Sequence, residues 1–139
     1  ITEGTLMENP ENGLRMMRRL REKGIHLALD DFGTGYSSLA YLKRFPLNTL
    51  KIDKAFIDDI AKSSVDRHMA AAIISIAHNL GLKVVAEGVE DEQQLSILRR
   101  YDCEMLQGFL YSRPINADRF EKLLSENQQL HNLLGHSNI

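Results

Sequence analysis

Short strand-like segments alternate with amphipathic helical segments along nearly the whole chain. Apolar residues recur at every second position, or without a break, in the strand-like segments, and every three to four positions in the longer segments between them. Alternation of this kind makes neighbouring strands parallel, with right-handed crossovers through the helices. The sequence therefore predicts an α/β fold of repeated β/α units, and the continuous run at 84–86 is typical of a strand buried on both faces. The predicted strands cover residues 25–30, 49–53, 84–86 and 103–106.

Cap residues and glycines define the predicted helices. Residues 1–8 are predicted to be a strand end and a turn, after which Asn9 caps a helix that Gly24 ends. A short helix is predicted over 38–44. The remaining helices have their predicted caps at Asp66, Asp91 and Asn116. In the helix with its predicted cap at Asp66, four apolar residues are predicted to be buried: Met69, Ile73, Ile76 and Leu80.

The composition excludes several classes of protein. With 139 residues, of which 43% are hydrophobic and 26% charged, the chain has the balance of a single globular domain. Its net charge of −2 gives no reason to expect DNA binding, and no apolar run approaches the roughly 18 residues of a membrane-spanning helix. Cys103 is the only cysteine, which excludes an internal disulfide and a cysteine-based zinc site. We therefore expect a cytoplasmic segment without membrane contact.

Polar side chains stand where the predicted strands end. Asp30 and Asp31 come at the end of the first strand, and each later strand ends at or near one polar residue, which is Lys51, Glu87 or Gln107. Because parallel strands end at the same edge of a sheet, these side chains are predicted to lie together. This edge is where β/α barrels and open parallel sheets bind their ligands. A buried strand should not end in a charge that has no partner and no function.

Two adjacent carboxylates supply the oxygen ligands that magnesium and similar ions prefer. Asp30 and Asp31 are therefore predicted metal ligands, and Glu87 either adds another ligand or binds a metal-held water. Two ions about 4 Å apart suit in-line attack on a phosphodiester. In such a reaction Lys51 would position the attacking water or neutralise charge in the transition state. Gln107 would support the site by hydrogen bonds.

Simpler interpretations remain open at this point for the same residues. Aspartate and glycine are ordinary turn residues, so the run after the first strand is also compatible with a solvated turn. Lys51 is also compatible with a buried ion pair to Asp30 or Asp53. Glu90 is compatible with a solvated position near a helix N-terminus.

Four ordered stretches of the chain are specific enough to compare with known families. They are Asp-Asp-Phe-Gly-Thr-Gly-Tyr-Ser-Ser-Leu at 30–39, Lys-Ile-Asp at 51–53, Val-Ala-Glu-Gly-Val-Glu at 85–90 and Gln-Gly-Phe at 107–109. Together they resemble the motifs of the EAL domain family, bacterial phosphodiesterases that linearise cyclic di-GMP, and the match extends from Ile1 to about Leu124. The resemblance implies a TIM-type barrel, two magnesium or manganese ions, and attack by a metal-bound water that gives linear pGpG.

The resemblance also implies a role for each matching residue. Asp30 would bridge both metals and Asp31 would bind one of them. Lys51 would contact the nucleophilic water, and Glu87 would be a water-mediated ligand and the general base. Glu90 and Gln107 would support the metal-bound waters. Glu3 matches a glutamate that ties down the loop from Asp31 to Ser38, and four residues match the loop at the substrate: Phe32, Gly33, Thr34 and Gly35.

Part of the family pattern is absent from the chain. The Glu-Ala-Leu segment and the asparagine ligand after it are missing, and a glutamate ligand would fall just before Ile1. Only four complete strands are predicted, against about eight in a TIM-type barrel. We therefore expect 1–125 to be the C-terminal portion of an EAL domain, followed at 126–139 by the end of the last helix and a polar tail.

An incomplete barrel has consequences for activity and association. We expect the chain alone to have little or no phosphodiesterase activity, since three of the expected ligands are missing. Four strands leave two unpaired edges and an uncovered inner face, so we expect a homodimer or association with the other half of the domain. The alternative function is a non-catalytic cyclic di-GMP receptor or a dimerisation module, which the intact water-activating residues disfavour. A phosphoacceptor receiver domain is disfavoured because its lysine would lie on the last strand, whereas Lys51 lies on the second predicted strand.

Overall fold

The computed structural model describes residues 1–33 and 39–134, with the side chains of all of these except Met7 and residues 127–134. Its strands are β1 (Ala28–Phe32), β2 (Thr49–Ile52), β3 (Lys83–Glu87) and β4 (Met105–Gln107). Its helices are α1 (Glu3–Glu8), α2 (Pro10–Glu22), α3 (Leu39–Leu42), α4 (Ser64–Asn79), α5 (Glu92–Arg100) and α6 (Ala117–Leu134), and a 3₁₀ turn spans Lys54–Phe56. The predicted tail from 135 onward lies outside the described residues.

The four strands form one parallel sheet in which each strand lies beside the next one along the chain, in the order β1-β2-β3-β4. At the free edge of β1, Thr2 adds a parallel bridge to Asp30, in line with the predicted strand end near the start of the chain. Consecutive parallel strands joined by helices are the arrangement of part of a β/α barrel. The predicted α/β fold with parallel strands is confirmed. Among the described helices, none combines the length and apolar character needed to cross a membrane.

The helices pack mainly against one face of the sheet, which we call the covered face. Its strand residues are almost fully buried: Leu29, Leu50, Ile52, Val84 and Ala86. The alternate residues form the inner face and stay partly exposed: Thr49, Lys51, Val85 and Glu87. The prediction that 84–86 is buried on both faces is therefore wrong. Val85 borders an apolar cavity of about 710 Å³ that is also lined by β4, the loop after it, and Phe120 and Leu123 of α6.

Two predicted helix starts are corrected by the structure. Residues predicted as a turn form α1, whose N-cap Thr2 has extended backbone angles and places its hydroxyl oxygen 2.9 Å from that of Thr5. The cap of α4 is Ser63, because its Oγ accepts the backbone N–H of Asp66 at 3.2 Å. Asp66 therefore belongs to the first turn of the helix, where its negative charge favours the N-terminus.

The buried face of α4 differs from the prediction in part, since Ile73 is buried as predicted and Ile76 and Leu80 are partly buried against the core. Met69 is 47% exposed, and the residues that pack inward are Ala70, Ile73, Ile74 and Ala77. Their spacing is that of a helical stripe. Residues 69–77 are almost continuously apolar, so their periodicity alone could not select which side faces the sheet.

The first strand begins later than predicted because the preceding residues close α2. The N–H groups of Gly24 and Ile25 donate to the carbonyl oxygens of Arg21 and Leu20 at 2.9 and 3.1 Å. Together with the left-handed backbone of Gly24, at a φ of 78°, this is the glycine motif that satisfies the last carbonyls of a helix. The predicted start of α2 is confirmed, since the side chain of Asn9 accepts the N–H of Asn12 at 3.1 Å.

Candidate metal centre

A β-bulge brings the two adjacent aspartates to the same side of the sheet. Leu29 pairs with Leu50, but the next paired residues are Phe32 and Ile52, so Asp30 and Asp31 together oppose one residue of β2. Neighbouring side chains of a regular strand point to opposite faces. The extra residue, with Asp31 at a φ of 56°, breaks this alternation. Sequence periodicity gave no signal for the bulge.

The carboxylates gathered in this way form a cluster with Glu87. One oxygen from each of Asp30, Asp31 and Glu87 lies within 4.8 Å of the others, and all three residues are partly buried. Clustered carboxylate oxygens are the ligands that hard divalent cations prefer. The structure thus brings together the three residues that the sequence predicted as metal ligands.

Lys51 lies between two members of the cluster. Its Nζ is 2.7 Å from Oδ1 of Asp30 and 2.5 Å from Oε1 of Glu87. Partial burial acts to lower the pKa of Lys51, but the hydrogen bonds and charges of Asp30 and Glu87 outweigh it and raise the pKa above its ordinary value. Lys51 is therefore charged at neutral pH. Of the two ion pairs considered for Lys51 from the sequence, the one with Asp30 forms, whereas Asp53 accepts the N–H of Ala55 at 2.8 Å.

Glu3 fastens the start of the loop that follows β1. Its side chain is 2% exposed, and Oε2 accepts the backbone N–H of Gly33 at 2.9 Å. Oε1 is buried without a hydrogen-bond partner among residues 1–33 and 39–134. Gly33 has a φ of 100° and packs so close to the ring of Phe56 that a Cβ would overlap it. The ring of Phe32 lies in the core. Thr34 and Gly35, also predicted for this loop, lie outside the described residues.

The two predicted supporting residues have different neighbours. Glu90 is about half exposed and its Oε1 lies 2.6 Å from Nζ of Lys54, so the structure pairs it with a lysine and does not place it among the three clustered carboxylates. Gln107 pairs in register with Glu87 at the end of β4, and its carbonyl oxygen accepts the N–H of Val89 at 3.0 Å. Gln107 is thus a direct neighbour of the cluster.

Gln94 is a buried polar residue that the sequence reasoning missed. It lies in the first turn of α5, where Asp91 is the N-cap and the two residues form a capping box. An aspartate followed three residues later by a glutamine is the sequence signal for such a box. The same side chain also donates hydrogen bonds to the carbonyl oxygens of Ile57 and Asp58, which follow β2. No local sequence pattern predicts these contacts.

A parallel β/α sheet with acidic groups at the C-terminal ends of its strands defines a β/α-barrel-type domain with a candidate metal centre. A family model described as the EAL domain matches residues 1–114. The chain belongs to the EAL domain family.

Comparison with individual proteins agrees with this assignment. The cyclic di-GMP phosphodiesterase NbdA of Pseudomonas aeruginosa is 53% identical over 124 residues, which cover 89% of this chain and 16% of NbdA. The structure of the PaMucR phosphodiesterase in complex with c-di-GMP superposes with a TM-score of 0.82 at 46% identity, covering 86% of this chain and 49% of that one. A manganese and cyclic di-GMP complex of Klebsiella pneumoniae BlrP1 gives 0.75 at 36% identity, with 81% and 29% covered. The chain thus spans about half or less of each solved chain and under a fifth of NbdA.

Proposed function

We propose that this chain supplies the C-terminal half of a domain that hydrolyses cyclic di-GMP to linear pGpG. The observation that carries the proposal is the cluster of Asp30, Asp31 and Glu87 around Lys51, gathered by the bulge of β1 at the C-terminal edge of a parallel sheet. Relatives whose names state this activity are similar over nearly the whole chain. Their greater length makes the activity a property of a larger unit.

The donor set fits divalent metal ions. The three carboxylates supply oxygen ligands only, and they carry more negative charge than Lys51 offsets. Asp30 and Asp31 would hold magnesium or manganese as direct ligands, and Asp30 would contribute to both ions of a pair. A pair of such ions would polarise the phosphate and lower the pKa of a bound water.

Four side chains of this chain have separate roles in the proposed reaction. Glu87 has a carboxylate at the cluster and accepts the proton of the attacking water as general base. Lys51, charged and held by Asp30 and Glu87, directs its ammonium toward the water and the phosphate oxygens. Glu3 fixes the first residue of the loop after Asp31, so that the loop stays in position at the substrate. Gln107, beside Glu87, supports the metal waters.

Association is part of the proposed function. The inner face, the outer edge of β4 and the edge of β1, which Thr2 covers only in part, are where the other half of a barrel would pack, since an exposed strand edge favours pairing with another chain. We propose that the chain works joined to the other half of its domain, and that by itself it pairs with a second copy. Light scattering on a size-exclusion column would detect the pair, and a stable monomer at micromolar concentration would contradict it.

Release of pGpG from cyclic di-GMP tests the proposed activity. A complete EAL domain that contains residues 1–139 should turn over at about 10 per second with manganese, the typical scale for an enzyme. The chain alone should give no measurable turnover, since it supplies only part of the ligand set. Tight cyclic di-GMP binding without turnover by the complete domain would favour a receptor instead. Full turnover by the chain alone would contradict the half-site.

A further inference from the structure

We propose that Gln94 is a positioning residue whose side-chain amide fastens the loop after β3 to the loop after β2 and so holds Glu87 beside Lys51. Its link to catalysis rests on the function proposed above. The fastening itself rests on contacts between described residues.

Gln94 is only 4% exposed, and both the oxygen and the nitrogen of its side-chain amide form hydrogen bonds. Oε1 accepts the backbone N–H groups of Glu90 and Asp91 at 2.7 and 3.2 Å. Nε2 donates to the carbonyl oxygens of Ile57 and Asp58 at 3.2 and 3.3 Å. A single buried side chain thus joins two loops that are more than thirty residues apart in sequence. Buried hydrogen bonds of this kind are costly to break, because the groups left behind lose their partners.

The strand pairing explains why such a link matters for Glu87. Register between β2 and β3 ends with the pair Ile52 and Ala86, and Glu87 pairs on its other side with Gln107 of β4. The ladder between β2 and β3 therefore does not itself fix how far the Glu87 carboxylate stands from β2. Beyond the direct ion pair between Lys51 and Glu87, the two chain segments are connected through their loops, where Gln94 bridges them.

A second contact connects the same two loops at the surface. The stem of Lys54 lies so close to Gly88, at a φ of 73°, that a Cβ there would overlap it. Its Nζ is 2.6 Å from Oε1 of Glu90 and 3.6 Å from Oδ1 of Asp58. Exposed ion pairs contribute little because solvent screens them. The buried amide of Gln94 is therefore the stronger of the two connections.

The capping box accounts for only one of these four contacts, the one between Oε1 and the N–H of Asp91. The capping box of α5 uses the side chain of Asp91 as acceptor for the N–H of Gln94, and Oε1 of Gln94 in return. The donation from Nε2 to Ile57 and Asp58 plays no part in the cap. Gln94→Glu keeps an acceptor for the cap but replaces the donor by an oxygen that faces two carbonyls. This substitution separates the two roles.

The test measures manganese affinity and thermal unfolding of the 139-residue chain, and kcat and KM of a complete domain. Gln94→Glu should weaken manganese binding and lower kcat by about 10-fold each, the lower range for residues that orient metal ligands. KM should change far less. The matched control is Ser63→Ala, which removes the cap of α4 and should lower the melting temperature without changing manganese affinity.

If Gln94→Glu binds manganese and turns over like the wild type, Gln94 is a helix cap and the proposal is wrong. Should that variant fail to fold, Gln94→Met, which loses the cap and the bridge, is compared with Asp91→Ala, which loses only the cap. Equal manganese affinity in these two would also overturn the proposal. An inactive wild-type domain would refute the proposed function, while manganese affinity still decides the role of Gln94.

Discussion

The two faces of the sheet differ in chemistry although their residues alternate along the same strands. Leu50 and Ile52 are fully buried on the covered face, and Lys51 between them carries its charge into the acidic cluster on the inner face. Burial of apolar area stabilises the fold, at about 25 cal/mol per Å². Partly buried charges of the inner face instead need partners, which Asp30 and Glu87 provide. The strand period thus separates the residues that stabilise the sheet from those that form the site.

The bulge in β1 shows where this separation needs an exception. Strict alternation would send Asp31 toward the covered face, into an apolar layer where a carboxylate is costly. The extra residue lets Asp31 join Asp30 on the inner side, while Phe32 returns to register opposite Ile52 and is buried. One irregularity therefore adds a second carboxylate to the cluster without disturbing the core.

The largest expected effect comes from the inner face. In a complete domain, Glu87→Gln should lower turnover by at least ~100-fold, since it removes the proposed general base. Asp30→Asn should lower turnover further, because it removes a charge shared by both proposed metals. Measured without added metal, the melting temperatures should stay close to that of the wild type. Normal kinetics for Glu87→Gln would refute its role, and a large fall in melting temperature together with activity would make the ion pair with Lys51 structural.

The labelling rate of the buried Cys103 thiol measures how readily the covered side of the molecule opens. Burial raises the pKa of its thiol to about 11, despite hydrogen bonds to the backbone that act in the opposite direction. A raised pKa leaves less of the reactive thiolate at a given pH, so the folded chain should react with iodoacetamide at pH 8 roughly 100-fold more slowly than a free cysteine. The unfolded chain in denaturant is the control. Fast labelling of the folded chain would show that the layer beneath β3 and β4 opens readily.

Two adjacent valines, one on each face, allow the contribution of the two faces to stability to be compared with the same substitution. Val84 is fully buried on the covered face, whereas Val85 is partly exposed on the inner face. Val84→Ala should lower the free energy of unfolding by about 2 kcal/mol or more, from the loss of buried methyl groups and the cavity left behind. Val85→Ala should cost less than half as much. Equal losses in urea denaturation would mean that the inner face is covered in solution.

Much of the arrangement could be predicted from the sequence. The alternation of periods predicts parallel strands, and parallel strands end at one edge. Asp30, Asp31, Lys51 and Glu87 could therefore be placed together before any coordinates. These inferences succeed because they depend on local patterns and on one general property of parallel sheets.

The rest depends on partners that are distant in sequence. The bulge of β1 is defined by its pairing with β2, and the amide of Gln94 bonds to a carbonyl 37 residues away, at Ile57. The inward side of α4 is set by what lies beneath it, since its apolar run offers several faces. No local periodicity contains this information.

The melting temperature of the chain with and without manganese shows whether the inner cluster binds divalent metal. A ligand that binds the folded state at 100 times its Kd adds about 2.7 kcal/mol of stability. Manganese should therefore raise the melting temperature of the wild-type chain in a saturable way, and Asp30→Asn should abolish that rise. An absent rise in the wild type, or an equal rise in Asp30→Asn, would contradict a metal centre built on Asp30, Asp31 and Glu87.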